Sequence, residues 1–215
     1  MKRTEIATLV SVALLFLAVF IVKLAPSDDN ADRSGRQVGD TVTGFGCYNG
    51  SPIEWTILDI EDDSMLLIST ESIDIKSYDP DRAPVTWETS FIREWLNGVF
   101  INEAFTEEEQ GKILTSLVTA DPNPEYDTDP GSDTEDKIFL LSIEEVREYY
   151  RDDVSRQCLY HGLDENYWWW LRSPGKSPSY AARVRSDGTV DCLGYMVENR
   201  HAGSGVRPVM RVSVS

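Results

Sequence analysis

The sequence predicts an α+β domain of short, twisted antiparallel sheets with two or three helices. Short runs rich in strand-forming residues, separated by Gly, Asn and Asp turns, open the domain and also close it. Segments with helical period lie between these runs. Because strands gather at both ends instead of alternating with helices, the pattern favours α+β over a parallel βαβ array.

The first strands are predicted from "VGDTVTGFGCYNGSPIEWTILDIEDDSMLLIST". One short strand lies around Val42, a second around Trp55, and a third spans residues 65–68. The turn residues of "EDDS" join the second strand to the third.

Two segments predict helices in the first half of the domain. Apolar residues recur at helical spacing from Phe91 to Val99, with Thr89 or Ser90 as the N-cap and Gly98 near the end. Thr106 precedes three glutamates, which the helix dipole favours in a first turn, so a short second helix is expected there.

The second half is expected to hold one more helix and several strands. "KIFLLS" predicts a strand, and Ser142 with Glu145 forms the capping-box pattern of the helix "IEEVREYY". "SDGT" is a hairpin signal within "YAARVRSDGTVDCLGYMV", and "GVRPVMRVSV" predicts the last strand.

Residues 1–24 predict an N-terminal signal anchor, that is, one transmembrane helix. The run Ile6–Val22 carries no charge and is long enough to cross a bilayer with help from its flanks. A cleaved signal peptide is the alternative, but "KLAPSDDNA" is a poor cleavage site.

The flanking charges predict the orientation of this anchor. Lys2 and Arg3 precede the apolar run and three aspartates follow it, which places the N-terminus in the cytoplasm and the domain outside. Residues 25–37 then form a flexible stalk, and residues 38–215 form one extracytoplasmic domain in a single-pass protein of the cell membrane.

The formal net charge of −17 bears on the partners of the domain. Repulsion between this charge and phosphate argues against a nucleic-acid partner. The acidity fits either cation binding or a well-solvated surface.

The run "YWWWLRSPG" raises the question of what its three tryptophans do. In a strand, Trp168, Trp170 and Arg172 point to one face and Tyr167, Trp169 and Leu171 to the other. The rings either pack a small sheet or stack on a sugar or peptide at the rim of a cleft. Trp168 is the ring expected to be exposed and to contact a ligand.

Arginines near the tryptophans form the second candidate site. Arg172 in "LRSPG" and Arg207 in "GVRP" each precede a proline turn, where a guanidinium typically holds backbone carbonyls or a carboxylate. The alternative is an anion-binding site made by Arg172 with Arg183 and Arg185, two residues of one hairpin that share a face.

Metal and thiol chemistry has weaker support. A loop rich in aspartate offers oxygen ligands to calcium without the EF-hand spacing: Asp121, Asp127, Asp129, Asp133 and Asp136. No other cofactor is indicated. The three cysteines allow a pair, Cys158 with Cys192, or a set of free thiols, and two histidines make structural zinc improbable.

Several ordered motifs resemble a bacterial family of uncharacterised domains found in exported and multi-domain proteins. They are "FGCYNGSPIEWTILD", "SFIREWLNGVFINEAFTEEE", "DKIFLLSIEEV", "WWLRSPG" and "GVRPVM", and the resemblance covers Val38 to Val214. The order of "VRSDGTV" and "GVRP" also resembles C-type-lectin-like folds, particularly those of the sulfatase-modifying enzymes.

We therefore expect a membrane-anchored binding module for a cell-wall glycan or a protein, contacted through Trp168, Arg172, Arg183 and Arg185. One alternative is an enzyme of the sulfatase-modifying class that uses cysteine or a metal. Cys158 and Cys192, however, do not match the cysteine arrangement of that class. The other alternative is a structural accessory domain without a small ligand.

Overall fold

The computed structural model describes residues 35–61, 63–81, 84–199 and 204–214. Their fold is α+β, with most regular structure in short strands. The first nine strands are β1 (Thr41–Val42), β2 (Cys47–Tyr48), β3 (Ser51–Pro52), β4 (Trp55–Glu61), β5 (Ser64–Ser69), β6 (Asp74–Ile75), β7 (Ile113–Leu114), β8 (Ser116–Val118) and β9 (Thr134–Asp136). The last five are β10 (Trp169–Pro174), β11 (Tyr180–Val184), β12 (Val190–Met196), β13 (Gly205–Val206) and β14 (Val209–Ser213).

Two five-stranded sheets form the framework. The first has the order β1-β4-β5-β14-β7 and is antiparallel throughout. The second has the order β12-β11-β10-β13-β6, in which only the contact of β10 with β13 is parallel. The ribbons β2-β3 and β8-β9 complete the described strands.

Strands from both ends of the domain meet in the first sheet. β14 pairs with β5 over the full register from Val209↔Ile68 to Ser213↔Ser64. The chain crosses from the second sheet to the first between β13 and β14, at Arg207 and Pro208, so the predicted last strand is two strands. Pro208 lacks a backbone N–H, which suits it to this break.

The helices are short: α1 (Phe91–Trp95), α2 (Ile101–Ala104), α3 (Glu107–Lys112), α4 (Ile143–Tyr149) and α5 (Asp153–Arg156). The predicted N-caps are confirmed at Ser90, Thr106 and Ser142, and the last two have complete capping boxes with Glu109 and Glu145. These N-caps could be predicted from the sequence because each one depends on side chains within a single helical turn.

Two local predictions were wrong. Gly98 does not end the first helix, because a π-helical turn, Leu96–Phe100, joins α1 to α2. "KIFLLS" is not a regular strand: it makes an isolated bridge, Phe139↔Val209, and buries Ile138 and Leu140 completely. A buried apolar run of this length has no period that separates a strand from an irregular core segment.

The predicted hairpins are present. β4 and β5 pair out to Glu61↔Ser64, as "EDDS" predicts. β11 and β12 pair out to Val184↔Val190 around "SDGT". In this turn Gly188 has a φ of 89°, and a Cβ there would lie 1.7 Å from the carbonyl oxygen of Asp153, so only glycine fits.

The hydrophobic core is continuous between the sheets and the helices. Its largest completely buried side chains include Trp55, Trp169, Trp170, Phe100 and Leu67. Two rings of the tryptophan run therefore serve as core, one on each face of β10, which starts at Trp169 and not at Tyr167.

The predicted transmembrane segment, Ile6–Val22, and most of the predicted stalk lie outside the described residues. Within the described part of the chain, no helix combines the length and the apolar character that crossing a bilayer requires.

Candidate functional site

A cleft of about 630 Å³ lies between the β2-β3 ribbon and two segments that run beside it, residues 71–73 and 160–161. Tyrosine rings line it together with hydroxyl, amide, carboxylate and imidazole groups. These lining residues are Tyr48, Tyr160, Thr43, Asn49, Ser51, Glu54, Glu71 and His161. The volume falls within the range typical of small-ligand pockets, roughly 300–1,000 Å³.

The first wall of the cleft is a hairpin set by an Asn-Gly turn. Asn49 and Gly50 have φ values of 51° and 81°, as a type I′ turn requires at both central residues. Tyr48 pairs with Ser51 across this turn, so the turn brings both side chains to the cleft.

The second wall is held by backbone hydrogen bonds between distant segments. The amide of Ser72 donates to the carbonyl of Leu159 over 2.9 Å, and the amide of His161 donates to the carbonyl of Ser72 over 3.1 Å. These bonds make a parallel bridge between Ser72 and Tyr160. Glu71 and His161, 90 residues apart in sequence, consequently become neighbours.

Tyr48 is fixed by contacts on several sides. Its hydroxyl donates to Oδ2 of Asp74 over 2.9 Å, and its ring packs edge-on to Phe100 and Trp95, with centroids 5.2 Å and 6.2 Å away. Burial, followed by the hydrogen bond to Asp74, raises the pKa of Tyr48 well above its usual value. The phenol therefore stays protonated at physiological pH.

Tyr160 supplies the opposing ring. It leans on Tyr167, with 5.4 Å between the ring centroids. Burial, and then the negative charge of Asp74, raise the pKa of Tyr160. Two neutral tyrosines thus line the cleft, one from each wall.

His161 and Glu71 form a polar pair at the rim. Nδ1 of His161 lies 3.1 Å from Oε2 of Glu71, and the two side chains are 54% and 36% exposed. Since the carboxylate engages Nδ1, Nε2 is the ring nitrogen left to meet a ligand.

The electrostatic character of the cleft is acidic. Glu54 and Glu71 line it, and the described residues of its lining include no Lys or Arg. The nearby Lys76 is engaged elsewhere: its Nζ lies 3.0 Å from Asp74 and 4.4 Å from the centroid of the Trp95 ring. The arrangement suits ligands that donate hydrogen bonds and disfavours anions.

Three of the four binding residues expected from the sequence come together elsewhere, on the second sheet. The guanidinium of Arg183 lies 4.9 Å from the Trp168 ring and 4.5 Å from the Tyr195 ring. Its Nε and that of Arg185 both donate to Oδ2 of Asp191, over 3.0 Å and 3.1 Å. The anion that these two arginines hold is therefore the chain's own carboxylate.

Burial raises the pKa of Asp191, but the hydrogen bonds from Arg185 and Arg183 outweigh it and lower the pKa below its usual value. Trp168 is half-buried and packs edge-on to Trp170 at 4.7 Å, so it is the ring of the run that reaches solvent in part. These contacts tie β10, β11 and β12 together.

Arg172, the fourth expected binding residue, has a different set of partners. It is 3% exposed and makes a bidentate contact with Glu145, a bond of 3.1 Å to Asp121 and a bond of 3.0 Å to the carbonyl of Leu140. Arg172 therefore fastens the loop before α4 and the aspartate-rich loop, called the acidic loop below, to β10. We call this its stapling role; it matches the expectation that a guanidinium at this position holds carbonyls and carboxylates.

Arg207 acts in the same way on the other sheet. Its Nε and Nη2 donate to the carbonyl of Ser69 over 3.0 Å and 2.8 Å. Its guanidinium lies 4.8 Å from the Trp169 ring centroid.

The acidic loop uses much of its carboxylate capacity internally. Asp136 accepts from Arg93, Trp87 and Thr134, Asp133 accepts from the amide of Ala120, and Asp129 accepts from the amide of Gly131. Within the described ranges, metal-ligating side chains do not gather in groups of three or more.

All three cysteines are free thiols, so the pair Cys158 with Cys192 is not formed. Sγ of Cys158 lies 3.5 Å from Oγ of Ser72, whereas Sγ of Cys192 lies 3.3 Å from Nη2 of Arg147. Burial raises the pKa of the Cys192 thiol to about 11, which makes it a poor nucleophile.

Sequence reasoning missed the residues of the cleft. "YNG" is a hairpin signal that points to Tyr48, but nothing local in the sequence connects it to Glu71 or to His161. Their contact depends on a bridge between segments far apart in the chain.

A family model described as "Domain of unknown function (DUF6273)" matches residues 62–214. Searches of the curated proteins and of the solved structures return no match to the chain.

Proposed function

Since the chain belongs to the DUF6273 family, whose description states no activity, we propose a function from the geometry of this chain: it is a binding module that recognises a sugar unit of a glycan in the Tyr48–Tyr160 cleft. The sequence predicts either a cell-wall glycan or a protein as the ligand, and the chemistry of the cleft supports the glycan. The observation that carries the proposal is the pairing of two neutral tyrosine rings with several hydrogen-bonding side chains in one cavity.

The chemistry of the cleft suits a sugar. A sugar ring presents apolar C–H faces that pack on aromatic rings, and hydroxyl groups that donate to carboxylates and amides. Tyr48 and Tyr160 offer the rings, while Asn49, Glu54 and Glu71 offer the acceptors. Preformed walls also limit the entropy lost on binding.

The charge of the cleft narrows the ligand class. Two carboxylates line the cleft, and no Lys or Arg is found among the lining residues that the structure describes, so phosphorylated and sulfated ligands meet repulsion. This local charge has the same sign as the net charge of −17, which disfavours nucleic acid as a partner.

We also propose that the module is held at the outer face of the cell membrane by the apolar segment Ile6–Val22. A C-type-lectin-like arrangement belongs to the same proposal. It is supported by the first sheet, in which β1 from the start of the domain and β14 from its end lie in one layer.

Isothermal titration calorimetry of the full chain in detergent, with neutral β-1,4-linked tetrasaccharides, tests the function. Tyr160→Ala is expected to weaken binding about three- to tenfold, because it removes one stacking surface. Tyr126→Ala is the matched control, since this partly buried tyrosine lines a separate depression at residues 122–130. Equal affinity of wild type and Tyr160→Ala would refute the cleft as the glycan site.

A further inference from the structure

We infer that the sugar unit recognised by the Tyr48–Tyr160 cleft carries a positively charged amino group. This inference rests on the proposed function and names its ligand more closely. It is argued from the distribution of charge and of aromatic surface around the cavity.

The carboxylates of the cleft outnumber the cations available to neutralise them. Glu54 and Glu71 line the cavity, and Asp74 lies directly behind the Tyr48 hydroxyl. Lys76 is paired with Asp74. Among the described residues that line the cleft, His161 is the one basic side chain, and it contacts Glu71. A ligand ammonium would supply the missing positive charge.

The tyrosine rings favour the same ligand. Ammonium groups are attracted to the electron-rich face of an aromatic ring. The Tyr48 hydroxyl donates a hydrogen bond to Asp74, so a carboxylate also lies beside that ring. The negative charge of Asp74 is also felt at Tyr160, where it contributes to the raised pKa.

The partly exposed pair of His161 and Glu71 completes the recognition of an amine. Glu71 accepts a hydrogen bond from an N–H of the ligand. An N-acetylated sugar has neither the charge nor the three donors of an ammonium group. The cleft should therefore separate free amines from acetylated ones.

General attraction of a cation to this acidic domain must be distinguished from recognition in the cleft. At physiological ionic strength, charges more than about 8 Å apart are largely screened. A variant that lacks two carboxylates of the cleft has the same net charge as a variant that lacks two carboxylates of a remote surface. A difference in ligand affinity between the two variants therefore reports recognition in the cleft.

The test compares three β-1,4-linked tetrasaccharides that differ at C2: the glucosamine tetramer, its fully N-acetylated form and cellotetraose. Titrations use the full chain in detergent, mildly acidic buffer that protonates the sugar amines, and physiological salt. The variants are Glu54→Gln with Glu71→Gln in the cleft, and Glu125→Gln with Glu148→Gln as the control of equal charge. Circular dichroism checks that both double variants fold.

We expect the wild type and the control to bind the glucosamine tetramer about tenfold more tightly than cellotetraose. The cleft variant should lose this preference while it still binds cellotetraose. Equal affinity for all three sugars would overturn the inference and leave the glycan function standing, as would a preference that survives in the cleft variant. If none of the three sugars binds, both the inference and the proposed function fail.

Discussion

Charged residues inside this domain are held by partners within the chain, and this is clearest at Asp191. Two arginines donate to one of its oxygens, and it is almost completely buried. The arrangement gives the carboxylate a lowered pKa despite its burial. Because a lowered folded-state pKa favours the ionised folded form, Asp191 stabilises the fold above the pKa it has when unfolded.

Asp191→Asn is expected to lower the free energy of unfolding by about 3 kcal/mol at neutral pH, because Arg183 loses its carboxylate. In the wild type this contribution is lost as the pH falls from about 4 through the lowered folded-state pKa. Urea unfolding over that range measures it. A variant that shows the same acid slope as the wild type would contradict the role given to Asp191.

Arg172 should contribute more to stability than the half-exposed Arg185. Arg172→Met leaves Glu145 and Asp121 without their partner and should cost about 3–5 kcal/mol. Arg185→Met, whose side chain is 53% exposed, should cost less than about 1 kcal/mol. Thermal or urea unfolding of both variants compares them, and equal losses would refute the stapling role.

The contacts of these arginines could be predicted from the sequence only in part. Their context beside prolines was enough to suggest that Arg172 and Arg207 hold backbone carbonyls, because such a role depends on the turn that each arginine precedes. The sequence did not reveal that Arg183 and Arg185 share Asp191. Asp191 lies on the neighbouring strand, and the register shift between β11 and β12 decides which residues meet.

At the scale of elements, local signals were the most informative. The capping boxes at Thr106 and Ser142 and the hairpin turns depend on residues a few positions apart. The strand predicted for "KIFLLS" is absent because the conformation of this segment depends on its burial against β14 and not on its own sequence pattern. The π-helical turn at Leu96–Phe100 likewise has no local signature in the sequence.

The Asn-Gly turn between β2 and β3 connects element geometry to the cleft. Gly50→Ala places a Cβ on a residue with a φ of 81°, which should cost about 1–2 kcal/mol of stability and distort the wall that carries Tyr48. The affinity for the sugar should fall as well, because the distorted wall displaces Tyr48.

Gly98→Ala is the matched control for this change. Gly98 lies within a helical turn, its φ is not positive, and a Cβ there meets nothing within 4 Å. It should leave affinity unchanged and stabilise the fold by up to about 1 kcal/mol. Urea unfolding and calorimetry of the two variants measure both effects, and unchanged affinity in Gly50→Ala would contradict the role of the turn.

At the scale of the whole molecule, the two sheets bring together segments that are distant in the chain. The class, an α+β fold with strands at both ends, followed from the order of patterns. The cleft did not, because its walls come from residues 43–54, 71–73 and 160–161. Pairing of such separated segments depends on the tertiary fold, which local propensity does not encode.

The tryptophan run is more conspicuous in the sequence than the residues that line the cleft. Large aromatic residues are conspicuous in a sequence whether they pack a core or bind a ligand. Here Trp169 and Trp170 are completely buried, and Trp168 packs on Trp170 and Arg183. The cleft instead uses tyrosines and a histidine that are spread along the chain.

The most direct test of the cleft as the ligand site uses the histidines, of which the chain has two. NMR spectra of the protein labelled at histidine, assigned with His201→Gln, follow His161 during titration with the glucosamine tetramer. We predict that the ring resonances of His161 shift in step with the binding curve from calorimetry. Binding that leaves the His161 resonances unchanged would contradict the account, because the ligand would then occupy another surface.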